Sequence, residues 1–118
     1  FLKAKKLRSQ LRAEMNNVFR FPNRVYQSEG VSSGVDVLLG PTTIKTAQTV
    51  KEYENQAPTE CFIDDALVIP ASLAGLPAIS VPWKNKTESI PVGLQVIGQY
   101  GNDKQVLEFA QLLESISK

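Results

Sequence analysis

The run Asp65-Ala66-Leu67-Val68-Ile69-Pro70-Ala71-Ser72-Leu73-Ala74-Gly75-Leu76-Pro77-Ala78-Ile79-Ser80-Val81-Pro82, followed by Ile90-Pro91-Val92-Gly93-Leu94-Gln95-Val96-Ile97-Gly98, decides the fold. From Phe62 onward the apolar positions Ala66, Leu67, Ile69, Leu73 and Ala74 suggest a helix, which Pro70 must kink or divide into two short pieces. Gly75 and then Pro77 stop it in the order that helix C-termini favour. Residues 78–81 and 92–97 are β-prone runs separated by the polar, charged residues 84–89. That is the outline of a hairpin or of two neighbouring strands.

Working outward, the chain opens on a helical pattern in which Ala4, Leu7, Leu11, Met15, Val18 and Phe19 recur three or four apart and make one apolar stripe. The basic residues mostly line the other face, and Pro22 is expected to end the helix. Residues 21–34 are polar and turn-rich and predict a surface loop. Val35-Asp36-Val37-Leu38-Leu39 then predicts a short, largely buried strand stopped by Gly40-Pro41. Residues 42–58 have no clear period and predict a loop that can hold a helical turn. Asn102 is placed to N-cap a final helix whose Val106, Phe109, Ala110, Leu113 and Ile116 share one face. The sum is α/β, a mixed β-sheet flanked by helices, with no internal repeat or low-complexity tract.

A chain of 118 residues with 42% hydrophobic content can bury one modest core, so one domain or less is the bound. The net charge of +1 hides an asymmetry, because Lys3, Lys5, Lys6, Arg8, Arg12, Arg20 and Arg24 crowd the first 26 residues against Glu14 alone. Such a run is either a solvated helix face or a footprint for RNA. Cys61 is alone, which excludes an intrachain disulfide and the usual multi-cysteine zinc site and suggests a reducing compartment. The absence of His removes Ser-His and Cys-His pairs, so any serine chemistry needs another base. No apolar run approaches the roughly 20 residues of a membrane span.

Among groups that could carry chemistry, Asp64-Asp65 comes first. On a helix, neighbouring side chains point about 100° apart, so one carboxylate can face a pocket while the other faces water. The structural alternative is that they favour the positive end of a helix beginning near Phe62. Ser80 and Lys84 are four apart, but Pro82 breaks the strand between them and argues against a Ser-Lys pair. Thr42 and Thr43 follow Gly40-Pro41 and are read as structural. Gly98-Gln99-Tyr100-Gly101 is a strand-to-helix turn that lacks the rest of a phosphate-binding fingerprint. Asn85-Lys86-Thr87 matches a glycosylation sequon by pattern alone.

Taken together, the Ile-Pro-x-x-Leu-Ala-Gly-Leu-Pro-Ala-Ile-Ser-Val-Pro run, the Pro-Val-Gly-Leu-Gln-Val-Ile-Gly run and the upstream Asp36-Val37-Leu38-Leu39-Gly40-Pro41-Thr42 resemble the closing segment of the amidase signature family. These are serine amidases that hydrolyse or transfer ammonia from carboxamides through a Ser, cis-Ser and Lys triad. The resemblance implies that residues 1–118 are the C-terminal part of a single amidase domain. It places the triad upstream, so no catalytic residue is expected here and the chain alone is expected to hydrolyse no amide. In the glutamine-using branch, an acidic residue a few positions before Ile-Pro-x-x-Leu-Ala-Gly holds the substrate's α-amino group, and Asp65 falls on that position. The basic residue for the α-carboxylate belongs before the first helix and has no counterpart here.

The likeness is to the tRNA-dependent amidotransferases of that branch. It implies glutamine as substrate, ammonia delivered to ATP-activated Glu-tRNA(Gln), a B-type partner subunit with the ATP and Mg, and a small third subunit. No cofactor or metal is expected on this chain itself. Ser72 stands where Asn is usual and Trp83 where a small residue or Cys is common, departures the resemblance tolerates; the long 21–34 connection suggests a diverged organellar form in the mitochondrial matrix, or the cytoplasm if the source is bacterial. Two other readings stay open: another amidase of the family, which would not need a carboxylate at Asp65, or a non-catalytic RNA- or protein-interaction module built on the basic first helix.

Overall fold

The computed structural model describes residues 1–19, 34–84 and 90–117. In chain order these form α1 (Leu2–Asn16), β1 (Val37–Pro41), α2 (Val50–Glu54), α3 (Pro58–Asp64), α4 (Ile69–Ala74), β2 (Ala78–Trp83), β3 (Val92–Gly98) and α5 (Asp103–Ile116). The strands make one sheet in the order β1-β3-β2. Both pairings are antiparallel, with Leu38 opposite Ile97 and Ser80 opposite Gln95. The expected α/β organisation holds. The described sheet is antiparallel rather than mixed, and the parallel bridge between Phe19 and Val35 stands outside it.

Alternation along β3 gives the sheet two unlike faces. On one, the fully buried Val96 joins Val81, Val106, Ala110 and Leu113, with Leu94, Ile79 and Trp83 packed around them beneath α5. On the other, Ile97 and Leu38 pack with Phe19, Ala74 and Leu76 below α1 and α4. The buried positions of α5 follow the predicted stripe up to Leu113, but Ile116 is exposed. Asn102 occupies the N-cap position without capping: its side-chain amide donates to Gln105 Oε1 at 3.2 Å instead.

Several boundaries differ from the sequence expectation for physical reasons. Helix α1 ends at Asn16, before Pro22 is reached; Asn16 Nδ2 donates to the Arg12 carbonyl at 2.8 Å, and the chain then turns so that Phe19 enters the core. The predicted loop over 21–34 lies outside the described residues but for Gly34. Strand β1 continues through Gly40 and Pro41, because among the described residues it is the outer strand of the sheet, where a proline removes no ladder hydrogen bond. It is also less buried than predicted, with Leu39 exposed. Within 42–58, α2 forms from a full capping box: Thr49 Oγ1 accepts from Glu52 N–H at 3.3 Å and the Thr49 N–H donates to Glu52 Oε2 at 2.7 Å.

Pro70 divides the 62–74 segment by falling in the first turn of α4, where its missing N–H costs nothing. At the other end of α4 every terminal carbonyl finds a donor. Gly75 adopts a left-handed conformation (φ 72°), which lets the Leu76 N–H reach the Ala71 carbonyl at 3.0 Å and the Gly75 N–H reach that of Ser72 at 3.2 Å. The Leu73 and Ala74 carbonyls accept from Arg8 Nε at 2.9 Å and Arg12 Nε at 3.1 Å. Two cations expected on the outer face of α1 therefore cap the negative end of α4.

The tightest approach in the sheet-to-α5 turn is at Gly98, where an added Cβ would collide with Val106 Cγ2. Gly98→Ala is expected to lower the unfolding free energy by about 1–3 kcal/mol. Urea denaturation of the full-length chain reads this, and an unchanged midpoint would contradict the packing described.

Candidate functional site

The two acidic neighbours lie at the opposite helix end from the one predicted. Helix α3 starts at Pro58 and finishes at Asp64, with Asp65 as its C-cap, so both carboxylates sit where the helix dipole is negative and disfavours them. Dipole compensation is therefore not why they are there. Asp64 has local partners: Gln56 Nε2 donates to Oδ2 at 2.8 Å, and Lys45 Nζ lies 3.4 Å from Oδ1. The Gln56 hydrogen bond, assisted by Lys45 against partial desolvation, holds the Asp64 carboxyl below its ordinary value. Asp64, Lys45, Thr42 and Gly93 line a cleft of about 370 Å³.

Asp65 differs. Its side chain is exposed, and among the described residues its carboxylate has no hydrogen bond or ion pair. Its backbone is well fixed: the Asp65 carbonyl accepts from the Val68 N–H at 3.1 Å and the Ile69 N–H at 3.2 Å, closing the turn between α3 and α4. An unpaired carboxylate on a fixed backbone is available to a cation from outside.

Beside this turn lies the polar face of the sheet. Ser80 is paired with Thr42 rather than with Lys84, the two hydroxyls standing 2.6 Å apart. They meet across the central strand because Gly93 lies between them; a Cβ there would come within 2.7 Å of Thr42 Oγ1 and 2.9 Å of Ser80 Oγ. Thr42, Ser72, Ser80 and Gln95 line a second cleft of about 250 Å³ between sheet and α4. Gln95, at 5% exposure, donates Nε2 to the Leu67 carbonyl at 3.2 Å, while its Oε1 is buried without a partner among the described residues. Sequence reasoning passed over Gln95, although a polar residue between Leu94 and Val96 in a β-run already marks the face opposite the apolar core.

The remaining sequence features add no chemistry to the site. Gly98 to Gly101 is a turn into α5, with the Gly98 N–H on the Pro77 carbonyl at 2.9 Å and Gly101 at φ 82°. The sequon at 85–87 lies outside the described residues. Among the described residues no group of three His, Cys, Asp or Glu side chains converges to hold a metal, and no helix is long and apolar enough to cross a membrane.

A family model described as Amidase matches residues 1–107. The A-type subunit of the mitochondrial glutamyl-tRNA(Gln) amidotransferase of Coccidioides posadasii is 38% identical over 131 aligned residues, covering 99% of this chain and 26% of that protein. Its namesake in Yarrowia lipolytica is 33% identical, covering 96% and 25% respectively. The crystal structure of the A-type subunit of glutamyl-tRNA(Gln) amidotransferase from Thermotoga maritima superposes with a TM-score of 0.78 at 37% identity, over 99% of this chain and 22% of that one. The chain thus spans about a quarter of the length of the relatives it matches.

Because Gln56 is the main cause of the lowered Asp64 pKa, Gln56→Leu is expected to raise it towards the ordinary carboxylate value. A carboxylate whose pKa is depressed by folding adds stability above its unfolded pKa, and that stability is lost as pH falls through the folded value, here below about pH 4. Carboxyl-carbon NMR titration of the full-length chain reads the shift, and identical Asp64 titration curves in the two proteins would contradict the assignment.

Proposed function

The chain belongs to the amidase family, and from that premise we propose that it is the glutamine-holding portion of a glutamyl-tRNA(Gln) amidotransferase, with Asp65 the partner of the substrate's α-ammonium. The observation that carries this reading is Asp65 itself. Its carboxylate stands exposed and unpaired among the described residues, at the helix end where its charge is disfavoured, on a turn locked by two backbone hydrogen bonds. A free amino acid brings an ammonium that needs such a partner, and a water-excluding pocket strengthens the bond.

In this reading the Ser, cis-Ser and Lys that open the carboxamide belong to the portion of the domain outside these residues, and this chain alone hydrolyses no amide. The ammonia released serves conversion of Glu-tRNA(Gln) to Gln-tRNA(Gln). A B-type partner subunit holds the ATP and Mg, and a small third subunit completes the assembly. The names of the similar proteins support a mitochondrial location, and the matrix is the compartment proposed within it. The interaction-module reading is weakened by α1, two of whose arginines are engaged on α4 rather than presented to a polyanion.

Asp65→Asn in the assembled enzyme is expected to raise KM for glutamine at least about tenfold, the scale of one charge-assisted hydrogen bond. Gln-tRNA(Gln) formation with ammonium chloride in place of glutamine should be unaffected, since free ammonia needs no amino-acid site. Wild-type glutamine kinetics in this variant would overturn the assignment and favour an amidase that recognises no α-amino group.

A further inference from the structure

We propose that Gln95 is the positioning residue that sets Asp65 for its ligand. The inference rests on the assignment of Asp65 above and extends it to a second residue. Asp65 is exposed and its side chain makes no hydrogen bond or ion pair among the described residues, so the region its carboxylate can reach is set by the backbone of the 65–68 turn. That turn is closed on itself by the Asp65 carbonyl, which accepts from the Val68 and Ile69 N–H groups. One tie from the turn to the sheet, two residues from Asp65, is the Leu67 carbonyl, which accepts from Gln95 Nε2 at 3.2 Å. Gln95 stands on the central strand of the sheet, the most constrained position available, and is 5% exposed.

The other end of the same amide argues that this arrangement is kept for position rather than for stability. Among the described residues Gln95 Oε1 is buried and accepts no hydrogen bond. Turning the amide over would set Oε1 against the Leu67 carbonyl oxygen, two acceptors face to face, so the orientation with Nε2 on Leu67 is the one chemistry allows. A buried acceptor left unpaired carries a desolvation penalty as large as the gain from the single bond at the other end. Methionine has nearly the length and volume of glutamine and would fill the same space with neither the donor nor the orphan oxygen. Replacement of Gln95 by methionine exchanges one unpaired acceptor, Oε1, for another, the Leu67 carbonyl, so the fold loses little while the turn loses its tie to the central strand.

The test is a cycle of Gln95→Met and Asp65→Asn in the assembled full-length enzyme, reading KM and kcat for glutamine, ammonium-dependent Gln-tRNA(Gln) formation and the melting temperature. Gln95→Met is expected to raise KM for glutamine about fivefold, the scale of one neutral hydrogen bond, to change kcat proportionately less, and to hold the melting temperature within about 2 °C of wild type or raise it. In the Asp65→Asn background the same substitution should add little to KM, because the group it positions is gone. Equal KM effects in both backgrounds, or a KM unchanged by Gln95→Met alone, would overturn the role of Gln95 while leaving that of Asp65 intact. A fall in kcat, melting temperature and ammonium-dependent activity together would assign Gln95 to the fold and equally overturn the proposal. If instead Asp65→Asn leaves KM unchanged, it is the assignment of Asp65 that fails.

Discussion

A helix of six residues has no stability of its own, since the cost of nucleating it is not recovered over so few hydrogen bonds. Helix α4 exists because it is held from outside at both ends. At its C-terminus two carbonyls are closed by the left-handed turn at Gly75 and two by the guanidinium groups of Arg8 and Arg12. Before its N-terminus the Leu67 carbonyl is held by Gln95. Ala71 and Ala74 are buried, and small side chains at these positions let the helix lie close to its neighbours. Remove these supports and the segment that carries Asp65 loses its place relative to the sheet.

The same demand explains why the face of the sheet towards α4 sets the polar or small Thr42, Ser80, Gly93 and Gln95 beside the apolar Leu38 and Ile97, where the face under α5 is apolar. Gly93 leaves room for Thr42 and Ser80 to meet across the central strand, and Gln95 reaches past them to the turn. Val96, Val81 and Val106 pack under α5 and Ile97 and Leu38 pack with Phe19, Ala74 and Leu76, while on that second face Gln95 makes the hydrogen bond that fixes the turn. A sheet with two such unlike faces can carry a binding turn without weakening its core.

The elements that depend on short-range pattern were legible in the sequence. The β2–β3 pair, the Gly75 stop and the stripe of α5 all follow from periodicity and from the backbone preferences of Gly and Pro. Helix α2 was legible too, through Thr49-x-x-Glu52, but its lack of apolar period concealed it. What the sequence withheld depends on neighbours distant in the chain. Pro41 inside a strand makes sense only once β1 is known to be an edge, and Arg8 and Arg12 read as solvated until α4 is placed beside them. Asp65 was singled out by its place before Ile69-Pro70, whereas the helix it belongs to was set too late, which reversed the sign of the dipole argument. Gln95 became visible only when the partner of its amide was known.

The central claim is that the Asp65 carboxylate, held by its turn, receives the α-ammonium of glutamine. A crystal structure of the full-length chain with glutamine bound tests it most directly. The account predicts the substrate nitrogen within about 2.7–3.2 Å of an Asp65 carboxylate oxygen, with Gln95 Nε2 still on the Leu67 carbonyl. Glutamine bound with its ammonium on Asp64, or on neither carboxylate, would contradict it.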